Sequence, residues 1–127
     1  MKSTCIIDKY GTQAWRLPNG EMHRLDGPAY IGAEDGDNRK EWWVNGKLHR
    51  TDGPAVVIQH EQLWRAWYTN GKLHRTDGPA VVHPNGDQEW WVDGVDITRQ
   101  VETWIAENNI TWPWDAATQL EFVMRFC

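Results

Sequence analysis

Short apolar stretches separated by turn residues run through most of the chain and predict a β-rich fold. The stretch EWWV (41–44) precedes Asn45-Gly46, and KLHR (47–50) follows it. Asn-Gly between such stretches favours a type I′ turn, which requires positive φ at both central residues, so this segment is predicted to form a β-hairpin. The next Asp-Gly-Pro predicts a bend, and the β-branched stretches at 55–58 and 80–83 predict strands. Polar linkers predict further turns at 32–40, 59–62 and 84–88.

Near residue 97 the spacing of the apolar residues changes and predicts two C-terminal helices. One stripe of an amphipathic helix is formed by Ile97, Val101, Trp104 and Ile105. Thr98 is the predicted N-cap and Asn108-Asn109 the predicted end of this helix. A second helix is predicted to begin at Pro113 or Asp115 and to continue through TQLEFVMRF, with the apolar residues Leu120, Val123, Met124 and Phe126.

An internal repeat organises the region before the helices. Three segments align, at 18–30, 44–56 and 69–81, and a partial fourth lies at 92–98. The eleven residues NGKLHRTDGPA are identical at 45–55 and 70–80. Such an array predicts an antiparallel meander of stacked units, with seven to nine short strands in one sheet, closed at its end by the two helices. The expected organisation is a single domain, mainly β with C-terminal α, with an N-terminal strand in 1–13, repeats in 14–95 and a helical cap in 96–127.

The unit WW-x-NGK-LHR-x-DGPA resembles the MORN-like repeats of small proteins encoded by bacteriophages and large DNA viruses, and more loosely the MORN-type repeats of some bacterial antitoxin-like proteins. The resemblance covers about 14–95 and implies short β-hairpins stacked into an elongated sheet. It implies no particular activity. The first unit departs from the pattern with Glu21-Met22 in place of Lys-Leu, and the fourth lacks the His-Arg and Asp-Gly-Pro parts.

Composition narrows the class of protein further. The 127 residues carry 13 Lys and Arg against 18 Asp and Glu, a net charge of −5, which argues against binding to polymeric nucleic acid or to an anionic membrane. No apolar run is long enough to span a membrane, and the N-terminus does not have the pattern of a signal peptide. Cys5 and Cys127 are expected to be reduced thiols, and the alternative is a disulfide joining the termini. Reduced thiols indicate a cytoplasmic protein, located in the host cytoplasm if it is phage-encoded.

Tryptophan is the unusual component, with 10 residues, and it recurs at fixed positions before the turns. The third residue before each turn is Trp42, Trp67 or Trp90, and the second is Trp43, Tyr68 or Trp91. Because neighbouring strand residues face opposite sides of a sheet, one aromatic row is predicted on each face. Either both rows are structural, or one row is a stacking surface for a ligand or an oligomer interface.

Each complete unit also carries an adjacent His-Arg pair. Arg24, Arg50 and Arg75 could pair with the aspartates of the following bends, or Arg50 and Arg75 could contact an anionic ligand beside the tryptophans, with His49 and His74 in the same site. We expect no metal site, because neither these histidines nor His60 and His83 have zinc-ligand spacing, and no cofactor. The sequence contains no nucleophile elbow, phosphate loop or other catalytic motif, and we therefore expect no enzymatic activity.

Three functions are consistent with these features. The first is a non-catalytic phage-type protein that sequesters a host immune nucleotide signal, either a cyclic oligonucleotide or an NAD-derived nucleotide, and so counteracts antiviral defence. The second is an inhibitor that binds a host defence protein or another host protein. The third is a structural or scaffold repeat protein associated with the virion, which self-associates. The predicted ligand-binding residues of the first are Trp42, Trp43, Trp67, Tyr68, Trp90, Trp91, Arg50, Arg75, His49 and His74.

Overall fold

A computed structural model describes residues 2–33, 36 and 38–127, and in this part of the chain fourteen strands precede two helices. The strands are β1 (Thr4–Ile7), β2 (Gln13–Arg16), β3 (Tyr30–Ile31), β4 (Arg39–Glu41), β5 (Trp43–Val44), β6 (Lys47–Leu48), β7 (Val56–Gln59), β8 (Leu63–Ala66), β9 (Tyr68–Thr69), β10 (Lys72–Leu73), β11 (Val81–Val82), β12 (Gln88–Glu89), β13 (Trp91–Val92) and β14 (Val95–Asp96). The helices are α1 (Thr98–Asn108) and α2 (Ala116–Phe126). Part of the linker predicted at 32–40, namely residues 34, 35 and 37, lies outside the described residues.

Eight strands form one antiparallel sheet in the order β1-β2-β3-β4-β7-β8-β11-β12. Each of the three complete repeats contributes two neighbouring strands, β2 and β3, β4 and β7, or β8 and β11. The chain therefore meanders across the sheet without a crossover. The predicted fold class, a β meander followed by two C-terminal helices, is confirmed.

The remaining strands form three separate hairpins, β5–β6, β9–β10 and β13–β14. Their turns have positive φ at both central residues, as the Asn-Gly and Asp-Gly dipeptides predict: 50° and 76° at Asn45-Gly46, 50° and 81° at Asn70-Gly71, and 48° and 79° at Asp93-Gly94. Between the sheet and each hairpin the strand is interrupted at a tryptophan, Trp42, Trp67 or Trp90. The eight-stranded sheet agrees with the seven to nine strands predicted from the sequence, and the three hairpins are additional two-stranded sheets.

Consecutive units are joined by the same backbone hydrogen bonds. The turn glycine of each hairpin donates its N–H to the unit before it: Gly46 to Met22, Gly71 to Leu48 and Gly94 to Leu73, at 2.8–3.0 Å. The arginine N–H of each complete unit donates to the following unit: Arg24 to Trp43, Arg50 to Tyr68 and Arg75 to Trp91, at 3.0–3.2 Å. These bonds recur at every step from one unit to the next.

The alanine that closes each unit lies at a fully buried position. Ala29, Ala55 and Ala80 are fully buried, and the carbonyl of each accepts a hydrogen bond from the N–H of the tryptophan that begins its own unit. Beyond them, Val56, Ala66 and Val81 form the buried centre of the sheet. The core of the repeat region is therefore built of small side chains, with the aromatic residues at its margins.

The two helices close the C-terminal end of the array. Their core contains Trp90 and Val92 of the fourth unit together with Val101, Trp104, Trp114 and Phe122. The predicted end of α1 is confirmed, since the helix ends at Asn108 and its C-cap is Asn109, which has φ of 52°. Asp115, one of the two predicted starts of the second helix, is the N-cap of α2 and accepts a hydrogen bond from the Thr118 N–H at 2.8 Å. In the described part of the chain neither helix, each of 11 residues, has the length and apolarity to cross a membrane.

The start of α1 differs from the prediction. Ile97, not Thr98, occupies the N-cap position, and no side chain caps it. The Thr98 hydroxyl instead donates to Asp96 at 2.6 Å. The reason is that the chain still follows the repeat at this point, since the Ile97 N–H donates to the carbonyl of Trp90 as the histidine N–H does in each earlier unit.

Candidate functional site

The aromatic residues next to the turns form two rows with different surroundings. In the row of Trp43, Tyr68 and Trp91, the Trp43 indole donates to Glu41 at 2.8 Å and the Trp91 indole donates to Glu89 at 3.0 Å. Tyr68 and Trp91 also pack against the buried centre of the sheet, and burial raises the pKa of Tyr68. This row is part of the structural framework.

In the other row the tryptophan of each of the first three units is covered by an arginine of its own unit. The guanidinium carbon lies 3.9 Å from the ring centroid for Arg24 on Trp15, 3.8 Å for Arg50 on Trp42 and 3.9 Å for Arg75 on Trp67. These distances are typical of cation–π stacking. Trp15 was missing from the sequence-predicted set because it lies four residues before its turn, where the later units have the tryptophan three residues before.

The same guanidinium groups hold the bends that follow them. Nε donates to the aspartate two residues later (Asp26, Asp52 or Asp77) at 2.7–2.9 Å, and Nη1 donates to the carbonyl of Pro28, Pro54 or Pro79 at 3.0–3.1 Å. The hydrogen bond from Arg24 lowers the pKa of Asp26, and that from Arg50 lowers the pKa of Asp52. The Arg–Asp pairing considered from the sequence is therefore present in all three units, and each of these arginines has its charge balanced by an aspartate.

The histidines connect one unit to the next. The Nδ1 atom accepts a hydrogen bond from the first turn residue of the following hairpin: Asn45 to His23, Asn70 to His49 and Asp93 to His74, at 3.0–3.1 Å. A ring nitrogen that accepts carries no proton, which places the proton of the neutral ring on Nε2. Among the described residues, no three His, Cys, Asp or Glu side chains are grouped so that they could hold a metal ion.

Two open grooves lie between successive units. The N-terminal groove, of about 680 Å³, is lined by Arg24, Leu25, Asp26, Gly27, Trp42, Val44, His49, Arg50, Thr51 and Asp52. The central groove, of about 560 Å³, is lined by Arg50, Thr51, Asp52, Gly53, Trp67, Thr69, His74, Arg75, Thr76 and Asp77. The loop of Arg50, Thr51 and Asp52 is the wall that they share. Both volumes are in the range of small-molecule sites.

Six of the ten sequence-predicted binding residues line these grooves: Trp42, His49, Arg50, Trp67, His74 and Arg75. Trp43, Tyr68 and Trp91 lie in the structural row, and Trp90 is only 4 % exposed in the core beneath the helices. The loop residues Thr51, Asp52 and Gly53 were not in the predicted set. Their position in the groove wall follows from the stacking of units, which the repeat period does not specify.

The arginine that the fourth unit lacks is replaced by an aromatic ring. Thr98 follows Ile97 where the earlier units have His-Arg, and Trp114 stacks on Trp90 with centroids 6.3 Å apart and planes 16° apart. The cap thus covers Trp90 as the arginines cover the earlier tryptophans.

Comparisons of the chain with protein-family models, curated proteins and solved structures find no match. The grooves must therefore be interpreted from their own geometry.

Proposed function

We propose that this protein is a non-catalytic binding protein that sequesters a small nucleotide in the grooves between its repeats. The observation that supports the proposal is the repeated groove itself, in which a tryptophan, an arginine and a histidine of one unit face the Asp-Gly loop of the unit before it. The arginine that covers each groove tryptophan also lines the groove. A flat heteroaromatic base suits such a surface, because bases stack on guanidinium planes as they do on aromatic rings.

The arginines supply hydrogen-bond donors for an anionic part of the ligand. A guanidinium carries five N–H groups, of which the hydrogen bonds to aspartate and proline described above use two in each unit. Because these aspartates balance the arginine charge, the phosphate contributes less than the base. This balance favours a small nucleotide over polymeric nucleic acid, for which an acidic protein is poorly suited.

The biological role in this proposal comes from the resemblance to phage-type repeats. A phage protein with such grooves would bind a host immune nucleotide, a cyclic oligonucleotide or an NAD-derived nucleotide, and would counteract the defence by lowering its free concentration. No cofactor is required for this role. The ligand is expected to be released unchanged.

A second candidate, an inhibitor of a host protein, is supported by an exposed apolar surface on α2. Leu120 is 60 % exposed, Val123 39 % and Met124 80 %, and their spacing places them on one helix face. Exposed apolar side chains on one face are a feature of protein interfaces. This surface is formed by the cap and does not include the grooves.

Intrinsic tryptophan fluorescence and thermal shift against a panel of nucleotide signals test the first candidate. Trp42 and Trp67 line the grooves, so a ligand that stacks there should change the emission in a saturable way and raise the melting temperature. The ligand should be recovered chemically intact by chromatography. Turnover of the ligand would indicate an enzyme. A flat response across the panel, together with stoichiometric capture of a host protein, would favour the inhibitor of a host protein.

A charge placed between the grooves tests where the nucleotide binds. Thr51 is exposed and lines both grooves, so Thr51→Glu should weaken binding of an anion about fivefold at low salt, as expected for one added charge near 4 Å in water. Gln62→Glu adds the same charge in the exposed loop between β7 and β8 and is the matched control. Equal effects of the two variants would place the ligand outside the grooves.

A further inference from the structure

A third groove between the third and fourth units is filled by the protein itself. A Cβ atom built on Gly78 would lie 2.5 Å from the Trp112 ring, whereas at the equivalent Gly27 and Gly53 the nearest atoms belong to Arg24 and Arg50, at 3.0 Å. The Trp112 ring therefore rests directly on the glycine of the Asp-Gly loop. Its centroid lies 5.7 Å from the Arg75 guanidinium carbon, which stacks on Trp67.

The exposure of the three loops shows the effect of this ring. The Arg75 side chain is 16 % exposed, against 23 % for Arg24 and 24 % for Arg50. The partner Asp77 is 60 % exposed, against 85 % for Asp26 and 83 % for Asp52. The loops have the same sequence pattern and the same hydrogen bonds, so the difference reflects what covers them.

The two cap tryptophans fill different places in this third groove. Trp114 stacks on Trp90 where the other units have an arginine, and Trp112 meets Trp114 edge-on at 5.7 Å. Trp112 thus occupies the space next to the loop glycine that is open in the N-terminal and central grooves. It is still 48 % exposed, as expected for a ring held in a groove rather than in a closed cavity.

From this filled copy we infer that each open groove is a seat for one flat aromatic ring, placed on Gly27 or Gly53 as Trp112 is placed on Gly78. The inference deepens the proposed function and rests on it for the nature of the ligand. Each repeat adds two strands to the sheet, so equivalent points of successive units are about 9.5 Å apart. A ligand with two bases at that separation fills both seats, which identifies the nucleotide as a dinucleotide.

The seats are tested with indole as the probe and with the backbone amide signals of the three loop glycines as reporters in ¹H–¹⁵N NMR spectra. In the wild-type protein indole should shift the Gly27 and Gly53 signals and leave the Gly78 signal in place. Trp112→Ala opens the third groove, so Gly78 should then respond as well. Trp112→Phe keeps a ring on Gly78 and is the matched control. Gly27 and Gly53 signals that do not move in the wild-type protein would overturn the inference, whether or not Trp112→Ala folds.

The ligand class is tested by calorimetry with adenosine 5′-monophosphate and with the linear dinucleotide pApA. We expect two mononucleotides per chain but one dinucleotide, bound at least about tenfold more tightly because its second base binds intramolecularly. Two dinucleotides per chain with the affinity of the mononucleotide would overturn the bridging of the grooves. If indole shifts the Gly27 and Gly53 signals and neither nucleotide binds, the proposed function fails while the ring seats remain. If the nucleotides bind and indole does not shift the Gly27 and Gly53 signals, the ring seats fail while the proposed function remains.

Discussion

Replacement of Arg50 by lysine tests whether the arginine row stabilises the repeat array. Lysine keeps the positive charge but has no planar group that can stack on Trp42 and donate in two directions at once. The guanidinium of Arg50 makes three contacts: the stack on Trp42 at 3.8 Å, the bond to Asp52 at 2.9 Å and the bond to the Pro54 carbonyl at 3.1 Å.

The magnitude follows from these contacts. The stack contributes about 0.5–2 kcal/mol, and a charged hydrogen bond to a carbonyl about 1.5–3 kcal/mol. Arg50 is 24 % exposed, and a lysine retains part of the hydrogen bond to the Pro54 carbonyl. The free energy of unfolding is therefore expected to fall by about 2 kcal/mol. The ion pair with Asp52 contributes little, because Asp52 is 83 % exposed. For a domain of this size the loss corresponds to a decrease of roughly 6–10 °C in melting temperature.

Urea denaturation followed by tryptophan fluorescence measures the loss. Arg125→Lys is the matched control, because Arg125 is 53 % exposed and lies 3.9 Å from Glu121, a geometry that stabilises a helix little. Arg75→Lys should cost more than Arg50→Lys, since Arg75 is the most buried of the three. Equal unfolding free energies for Arg50→Lys and Arg125→Lys would refute the role of the stack.

Three other perturbations test the cap, the contacts between units and the bends. Phe122 is fully buried, so Phe122→Ala should lower the free energy of unfolding by about 3–5 kcal/mol in urea titrations, and a loss under about 1 kcal/mol would contradict the described cap core. His49→Ala removes the acceptor for the next unit's turn amide and should cost about 0.5–1.5 kcal/mol, whereas His60→Ala in an exposed loop should be neutral; equal effects would contradict this role. Asp26 and Asp52 have pKa values lowered by arginine. The stability that these carboxylates contribute is therefore present above the ordinary aspartate pKa and is lost as the pH falls through their lower folded-state pKa values. In urea titrations between about pH 6 and pH 3, the Asp26→Asn/Asp52→Asn protein should lose less stability than the wild type, and parallel curves for the two proteins would contradict this linkage.

The sequence predicts the fold well because its strongest signals are local. An Asn-Gly dipeptide specifies a turn by its tolerance of positive φ, and Asn45 and Asn70 both adopt φ of 50°. Apolar spacing of the helical period predicts the helices of the cap in the same way. These signals are contained in the few residues that form each element, so no knowledge of the tertiary structure is needed to read them.

The site is less predictable, because its walls come from different units. The sequence places Trp42 and Arg50 in one unit. The bend at 52–54, to which the Arg50 guanidinium is hydrogen-bonded, is what holds the arginine over the tryptophan. Trp90 has the position of a site residue in its unit and is nevertheless buried, since the cap supplies Trp114 where an arginine is missing. Such a substitution of one element for another leaves no periodic signal in the sequence.

The residues that recur in every unit are accounted for by the structure of the array, so selectivity for a ligand must come from positions that differ between units. Leu25 in the N-terminal groove corresponds to Thr51 in the central groove, and Val44 corresponds to Thr69. Leu25 is 80 % exposed, which a structural role does not require. The N-terminal groove is thus the more apolar and the central groove the richer in hydroxyl groups, although both present the same tryptophan, arginine and histidine. Two ring seats of unequal polarity favour a ligand whose two halves are not identical.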